Sequence, residues 1–319
     1  MKTIFDKDTW QEIFGSISQN KLRTLITIIG VLWGIFLYIV LSGIAKGVDN
    51  GFEQRFERIS SNSLFVWTQN TSIPYSGFKI GRNWNIKLSD VETLKNEIPE
   101  IQHIAPRIQR GNFGSQGAYI SNGTRSGTYN IYGDYPILKV VSQKDIYDGG
   151  RFINELDIQE ERKVCVIGER TNKELFKDNE NPIGQFISIN GIYFKVIGIH
   201  KFFDQGGGSF DNDGDIHIPF STFKRLYNTG DAVGFLLIAG YDEVDIIDVE
   251  EQVKILLKKI HKIHPDDNRS MGSFNLGSFF NRAKNFASGM SFISIIIGIA
   301  TILAGVIGIG NILLISVKE

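Results

Sequence analysis

The chain has 319 residues, and 34 Lys+Arg against 35 Asp+Glu leave a net charge of −1. That balance excludes the basic excess of a nucleic-acid binder, and the single cysteine, Cys165, excludes both an intramolecular disulfide and a cysteine-based zinc cluster. A mean hydropathy of −0.06 is an average in which two very apolar segments are offset by a polar middle.

The first element is Asp8-Thr9-Trp10-Gln11-Glu12-Ile13-Phe14-Gly15-Ser16-Ile17. Trp10, Ile13, Phe14 and Ile17 recur at i, i+3, i+4, i+7, which predicts one apolar face of a helix. Asp8 suits the N-cap, with Gln11 three residues on. This lead-in, residues 1–24, is expected on the cytoplasmic side. Its helix either lies in the membrane interface or docks onto a soluble partner.

Leu25–Ala45 follows, 21 residues without a charge. At about 1.5 Å per residue it reaches about 31 Å, the hydrocarbon thickness of a bilayer. A signal peptide has a shorter apolar core that begins nearer the first residue. A second uncharged run, Phe292–Val317, predicts a span over 290–317, followed only by Lys318 and Glu319. Gly30 and Gly34 in the first span, and Ala300, Ala304 and Gly308 in the second, fall four residues apart. Such stripes let helix backbones approach closely in lipid, although small residues are common in membrane helices in any case. Asn311 is costly against lipid and is expected to face another helix or the interface. Lys2, Lys7, Lys21 and Arg23 precede the first span, and Lys46, Arg55 and Arg58 follow it, a small positive-inside bias. Both ends of the chain are therefore expected in the cytoplasm, with 46–289 outside it. A domain there without disulfides suits a bacterial envelope.

Lys46–Ile59 keeps a helical face of Val48, Phe52, Phe56 and Ile59, and Phe274–Ala287 leads into the second span. The two are expected to form a helical stalk. Between them the pattern is mixed, an α+β domain. Ser89-Asp90-Val91-Glu92 reads as a capping box opening a short helix that stops before Pro99. Lys163–Gly168 is a strand, with a helix after it through Leu175 and Phe176. Phe186–Ile189 and Tyr193–Ile197 flank Asn190-Gly191, the signature of a hairpin with a type I′ turn. Ile216–Pro219 and Phe235–Ala239 are further strands. Val249, Val253, Leu256, Leu257, Ile260 and Ile263 mark one helix face ending by Pro265. The polar, glycine-rich stretches 68–87, 109–130 and 204–214 are expected to be mobile loops.

No G-x-x-x-x-G-K-[ST] occurs, so the chain has no P-loop of its own. No G-x-S-x-G or H-E-x-x-H occurs either. Asp211, Asp213 and Asp215 alternate as at the start of a calcium loop. Thr222, however, stands where the bidentate Glu belongs, which favours a solvated acidic loop. His261 and His264 with Asp266 and Asp267 read as an exposed helix end rather than a metal site. Cys165, within Val164-Cys165-Val166-Ile167, reads as a small core residue. No catalytic, cofactor or metal residues are therefore assigned.

Several stretches in order resemble the MacB-type family of ABC transporter permeases, which includes lipoprotein-releasing permeases. They are Asn20-Lys21-Leu22-Arg23-Thr24, Gly150-Arg151-Phe152-Ile153-Asn154, and Arg162-Lys163-Val164-Cys165-Val166-Ile167-Gly168. Pro182-Ile183-Gly184-Gln185 through Val196-Ile197-Gly198 follows, and then Ala304–Ile312 through Val317-Lys318-Glu319. The resemblance implies a periplasmic core domain between the first and second of four spans, in the inner membrane. It also implies a homo- or heterodimer with a second permease protomer, a cytoplasmic ABC ATPase as a separate subunit, and often a periplasmic adaptor and an outer-membrane channel. In such systems ATP turnover drives motion of the periplasmic domain, termed mechanotransmission, for efflux or extraction of a substrate. The family continues past Lys318-Glu319 into an ATPase-contacting segment and two more spans, so this chain is expected to be truncated after its second span. The alternative implied function is a non-transporting permease-like regulator that relays ATPase state to an envelope enzyme.

Overall fold

The structure, a computed structural model, describes residues 21–56, 62–110, 117–142, 144–177, 180–201 and 212–316. The lead-in helix expected at Trp10, Ile13, Phe14 and Ile17 lies outside them. The chain divides into two units, Gln54–Phe280 and the terminal segments on either side of it.

The central unit is built on a mixed sheet whose strands are β1 (Ser63–Thr68), β3 (Ile101–Arg110), β4 (Ala118–Asn122), β5 (Arg125–Tyr129), β6 (Ile131–Asp134), β7 (Val164–Gly168), β8 (Phe186–Ile189), β9 (Ile192–His200), β10 (Ile216–Pro219), β12 (Phe235–Gly240) and β13 (Met271–Asn275). Among the described residues their order is β13-β1-β12-β3-β6-β10-β7-β9-β8-β4-β5. β6 with β10 and β7 with β9 are parallel; the other pairs are antiparallel. A two-stranded piece pairs β2 (Ile86–Lys87) with β11 (Ala232–Val233). The helices are α2 (Leu88–Glu97), α3 (Leu138–Val141), α4 (Glu155–Gln159), α5 (Glu169–Leu175), α6 (Phe220–Tyr227) and α7 (Ile246–Ile260).

Both faces of the sheet are covered, so β7 and β12 are buried along their whole length and read as unbroken apolar runs rather than alternations. Leu64, Val66, Leu236 and Ile238 point to one core, against Leu94, Val249, Val253 and Leu257 of α2 and α7. Phe65, Phe235, Leu237 and Ala239 point to the other, with Leu138, Val141 and Phe152. The Asn190-Gly191 turn forms as expected: Ile189 pairs with Ile192, and both turn residues have positive φ, 47° and 86°.

Four expectations need correction. The stretch 109–130 holds a second hairpin, β4–β5, turning where Gly123 takes φ 59°. Asn122-Gly123 is itself a turn signal. The stretch 68–87 is tied by backbone bonds such as Thr71 N to Arg82 O (3.1 Å) and Gly81 N to Thr71 O (2.8 Å). The capping helix starts earlier than Ser89, with Lys87 as N-cap and the Asp90 carboxylate accepting from Lys87 N (2.8 Å). Phe274 and Asn275 are strand, not helix. The helix that follows is capped by Asn275, whose Oδ1 accepts from Ser278 N (2.8 Å).

The other unit holds most of α1 (Lys21–Phe56) and α8 (Leu276–Ser316), each a single unbroken helix whose end enters the central unit. Thr24–Val48 and Leu276–Gly308 within them are long and apolar enough to cross a membrane. They leave large apolar side chains such as Ile26, Trp33, Ile302 and Val306 more than 60% exposed. A core helix of a soluble protein buries such residues; a row of them on one helix is suited to lipid.

Candidate functional site

Rising residue numbers on α1 meet falling numbers on α8, so the two helices run antiparallel. Ser42 Oγ lies 2.7 Å from Ser294 Oγ, and Ser294 Oγ donates to the Tyr38 carbonyl (3.1 Å). A Cβ on Gly34 would overlap the Thr301 side chain, and one on Gly308 would come within 2.6 Å of Thr27 Cγ2. Gly298 faces Tyr38, and Gly305 faces Val31. Ser294, Thr301 and Gly308 recur every seven residues, as do Gly298 and Gly305. That is the 3.5-residue seam of paired helices. The Thr301 hydroxyl is satisfied within its own helix, at Ile297 O (2.7 Å).

Of the residues predicted to pack here, Gly34 and Gly308 stand in this seam. Gly30 has no neighbour at its Cβ position, and Ala300 and Ala304 are exposed on another face. Asn311 belongs to α8, but its side chain is outside the described residues. The hydroxyl residues Thr27, Ser42, Ser294 and Thr301 were not anticipated. For Ser294 and Thr301 the signal is the seven-residue spacing that continues to Gly308, and for Thr27 the seven residues to Gly34; Ser42 falls outside that spacing.

The segment 150–168 is a self-contained clasp. Asn154 caps α4, accepting from Asp157 N (3.0 Å), while Asp157 returns a bond to Asn154 N (3.0 Å). Arg151 grips the buried Asp157 carboxylate through both terminal nitrogens, at 2.5 and 3.0 Å. Burial resists ionisation of Asp157, but Arg151 and the backbone N–H outweigh it and hold its pKa below the ordinary value. Gly150 and Gly198 lie back to back: a Cβ on Gly150 would sit 2.8 Å from Gly198 Cα. Arg151 N donates to Ile197 O (2.8 Å) across that contact. Only hydrogen at both Cα positions permits this approach.

At the centre of the sheet three neighbouring strands bring together Arg107 (β3), Asp134 (β6) and His217 (β10), each at most 1% exposed. Arg107 Nε donates to Asp134 Oδ1 (2.6 Å) and Nη2 to Oδ2 (3.3 Å), and His217 Nδ1 lies 2.6 Å from that same Oδ2. Burial disfavours the Asp134 anion, yet the Arg107 charge and the His217 bond hold its pKa below the ordinary value. An ionised carboxylate only accepts, so Nδ1 of His217 carries hydrogen. The Arg107 guanidinium stacks on Tyr132 (4.5 Å) and Phe235 (5.2 Å), and His217 packs edge-on to His200 (4.9 Å). This cluster was not anticipated. Its trace is a single charged or imidazole side chain in each of the short buried strands β6 and β10; β3, with Gln102, His103, Gln109 and Arg110 beside Arg107, offers no such contrast.

The acidic alternation does not converge. Asp213 pairs with Arg170 (3.1 Å), Asp215 accepts from Asn130 Nδ2 (3.1 Å), and Asp211 is outside the described residues. His261 bonds Asp90 (2.7 Å), Asp267 accepts from Ser72 N and Oγ (2.7 and 2.6 Å), and His264 packs edge-on to Tyr75 (5.3 Å). Among the described residues no three His, Cys, Asp or Glu side chains form a metal-holding group. Cys165 is fully buried, and burial pushes its thiol pKa far up.

The class these features define is a membrane-anchored, mixed α/β core domain held between two apolar helices. A family model described as MacB-like periplasmic core domain matches residues 24–256, and the chain belongs to that family. It is 28% identical over 312 residues to the macrolide export ATP-binding/permease protein MacB of Bdellovibrio bacteriovorus, covering 96% of this chain and 46% of that one. It is 26% identical over 301 residues to the pyoverdine export ATP-binding/permease protein PvdT of Pseudomonas putida, covering 94% and 43%. The chain thus spans somewhat less than half the length of these relatives. Among solved structures, the periplasmic region of MacB from Actinobacillus actinomycetemcomitans shares the fold at TM-score 0.56 and 23% identity, covering 73% of this chain and 98% of that one. The extracellular domain of the noncanonic ABC-type transporter YknZ from Gram-positive bacteria does so at 0.53 and 14%, covering 67% and 100%.

Proposed function

We propose that this chain is the permease part of an inner-membrane ABC export system and couples a partner ATPase to motion of its periplasmic domain. The observation that carries the reading is the family match over 24–256 in a chain whose core domain is flanked in sequence by a span-length helix on either side. At the second junction, Leu276 opens α8 immediately after Asn275 closes β13. The chain passes there from strand to helix with no loop residue between them. Both chain ends lie in the cytoplasm in this reading, as the flanking charges suggest. ATP hydrolysis belongs to a separate subunit or domain, since this sequence has no P-loop. The names of the relatives point to macrolide-like or pyoverdine-like cargo.

The test is co-expression of the full-length permease with its ATPase, followed by co-purification and ATPase assay in nanodiscs. Co-purification with permease-stimulated hydrolysis is expected; independent elution of the two overturns the reading. Inserting a short Gly-Ser segment between Asn275 and Leu276 tests the coupling. Hydrolysis should persist while export falls about tenfold or more, as expected when a rigid connection becomes a flexible linker. Unchanged export by that variant overturns mechanical coupling.

A further inference from the structure

β1 is the first strand after α1, and β13 the last before α8. The loop after β1 packs on the segment that precedes β13, with Gln69 N donating to Ser270 O (2.8 Å). It therefore sits at the strand ends remote from both junctions with the long helices. Its tip is a two-residue turn. Tyr75 and Phe78 exchange backbone bonds at 3.2 and 2.9 Å, and Ser76 and Gly77 take positive φ, 51° and 86°. Its base is fixed by Asp267, which accepts from Ser72 N, Ser72 Oγ and Ile73 N at 2.7, 2.6 and 3.1 Å. Arg82 braces the side, lying 4.0 Å over the Phe78 ring and donating to His261 O (2.5 Å). On this fixed frame Tyr75, Phe78 and Ile80 are 43%, 44% and 66% exposed. A braced loop that displays large apolar side chains loses little entropy on binding and marks an interaction site.

Its surroundings are basic. Residues 71–87 and 258–269 hold seven Lys and Arg against two Asp, in a chain whose net charge is −1. Asp267 is taken up by the loop itself. Lys79, Lys259, Lys262 and Arg269 are exposed and form no ion pair among the described residues. Lys262 lies between His261, which Arg82 touches, and His264, which packs on Tyr75. At the other end of the same strands, 241–251 holds six acidic residues and no basic one. A second copy held in the same membrane in the same orientation presents like charge to like, so it is not the complementary partner.

We propose that the 71–82 hairpin is a docking finger for an acidic protein surface with an exposed apolar patch. The assignment rests on the permease reading only in placing the finger outside the cytoplasm. Its test uses no ATPase, so either can fail without the other. The full chain in neutral-lipid nanodiscs is titrated with a fluorescent peptide alternating Glu with Leu and Phe, and with the same peptide carrying Lys for Glu. Anisotropy is the readout, and phosphatidylglycerol vesicles serve as competitor. The acidic peptide should bind, weaken steeply with salt, and lose about tenfold in affinity on Lys259→Glu with Lys262→Glu. Phe78→Ser should lose about tenfold as well. Ile80→Ser, at a residue exposed enough to leave folding untouched, should weaken binding, and Lys177→Glu should not. Equal binding of the basic peptide, indifference to the lysine reversals, or indifference to Ile80→Ser with the fold intact each overturns the proposal. So does displacement of the peptide by the vesicles, which would assign the finger to a lipid surface.

Discussion

Between α1 and α8 the close contacts centre on glycines set against Thr27, Thr301, Tyr38 and Val31 and on a pair of serines, whereas the core domain is filled with Ile, Val, Leu and Phe on both faces of its sheet. In lipid, apolar surface gains nothing by leaving its surroundings, so backbone proximity and short polar bonds must hold helices together. In water, each apolar Å² removed contributes about 25 cal/mol, so large side chains do the holding. The polar groups differ in the same sense. The helix pair uses neutral hydroxyls, two of whose bonds cross between the helices, while the domain encloses a full ion pair with a histidine. The second arrangement is the more fragile to partial removal, because a buried charge left alone keeps its desolvation cost.

The largest effect should come from that cluster. Arg107→Ala leaves Asp134 buried beside His217 without its cation and should cost about 3–5 kcal/mol in chemical denaturation of the full chain in detergent. Replacing Arg107, Asp134 and His217 together by apolar residues of similar volume should recover most of it. If the single substitution were as mild as the triple, the network would not be the weak point of the domain.

Acid should act on the core domain as a whole, Asp134 included. Asp134, Asp157 and Asp267 are each held below the ordinary 3.8, and Glu250 below 4.5, in every case by partners that outweigh burial. The unfolded chain therefore takes up protons first. The stability these groups contribute is complete above those ordinary values and is lost as pH falls through the lower folded ones. The thermal midpoint should hold from neutral pH to about pH 5 and then drop steeply by about pH 3. A flat profile there would mean the carboxylates are not held as described.

Smaller effects separate the helix pair from its apparent stripe. Ser42→Cys with Ser294→Cys should cross-link readily, since the two Oγ atoms lie 2.7 Å apart. Adding Gly34→Leu should reduce the yield about fivefold, a loss of about 1 kcal/mol of association. Ala304→Leu, on the exposed face, should leave it unchanged; the reverse result would place the seam on the predicted stripe. Smallest of all, Gly191→Ala puts a Cβ at φ 86° and should cost about 1 kcal/mol in denaturation, without altering the cross-link.

Local chemistry was legible wherever a few consecutive residues decide the outcome. The Asn190-Gly191 turn, the buried face of α7 at Val249, Val253 and Leu257, and the strand at Ile216–Pro219 all follow from propensity and period. The hairpin at Asn122-Gly123 carried the same turn signal, but its polar strands, with exposed Arg125, Ser126 and Thr128, hid it. β13 was missed because Met271-Gly272-Ser273-Phe274 has no alternation to read; the strand exists because β1 lies beside it.

Two uncharged runs of bilayer length, the absence of a P-loop and the ordered motifs are properties of the chain read in one dimension, because hydrophobic length and backbone turn chemistry need no distant neighbour. Which residues meet was decided only in three dimensions. Arg107, Asp134 and His217 are separated in sequence by 27 and 83 residues yet share two carboxylate oxygens, because β3, β6 and β10 are adjacent in the sheet. The helix seam likewise follows the seven-residue rhythm of an antiparallel partner, and the basic, aromatic character of the 71–82 finger emerges only when 258–269 folds against it. Pairing between distant segments is set by the summed burial of the whole sheet, which no single stretch of sequence contains.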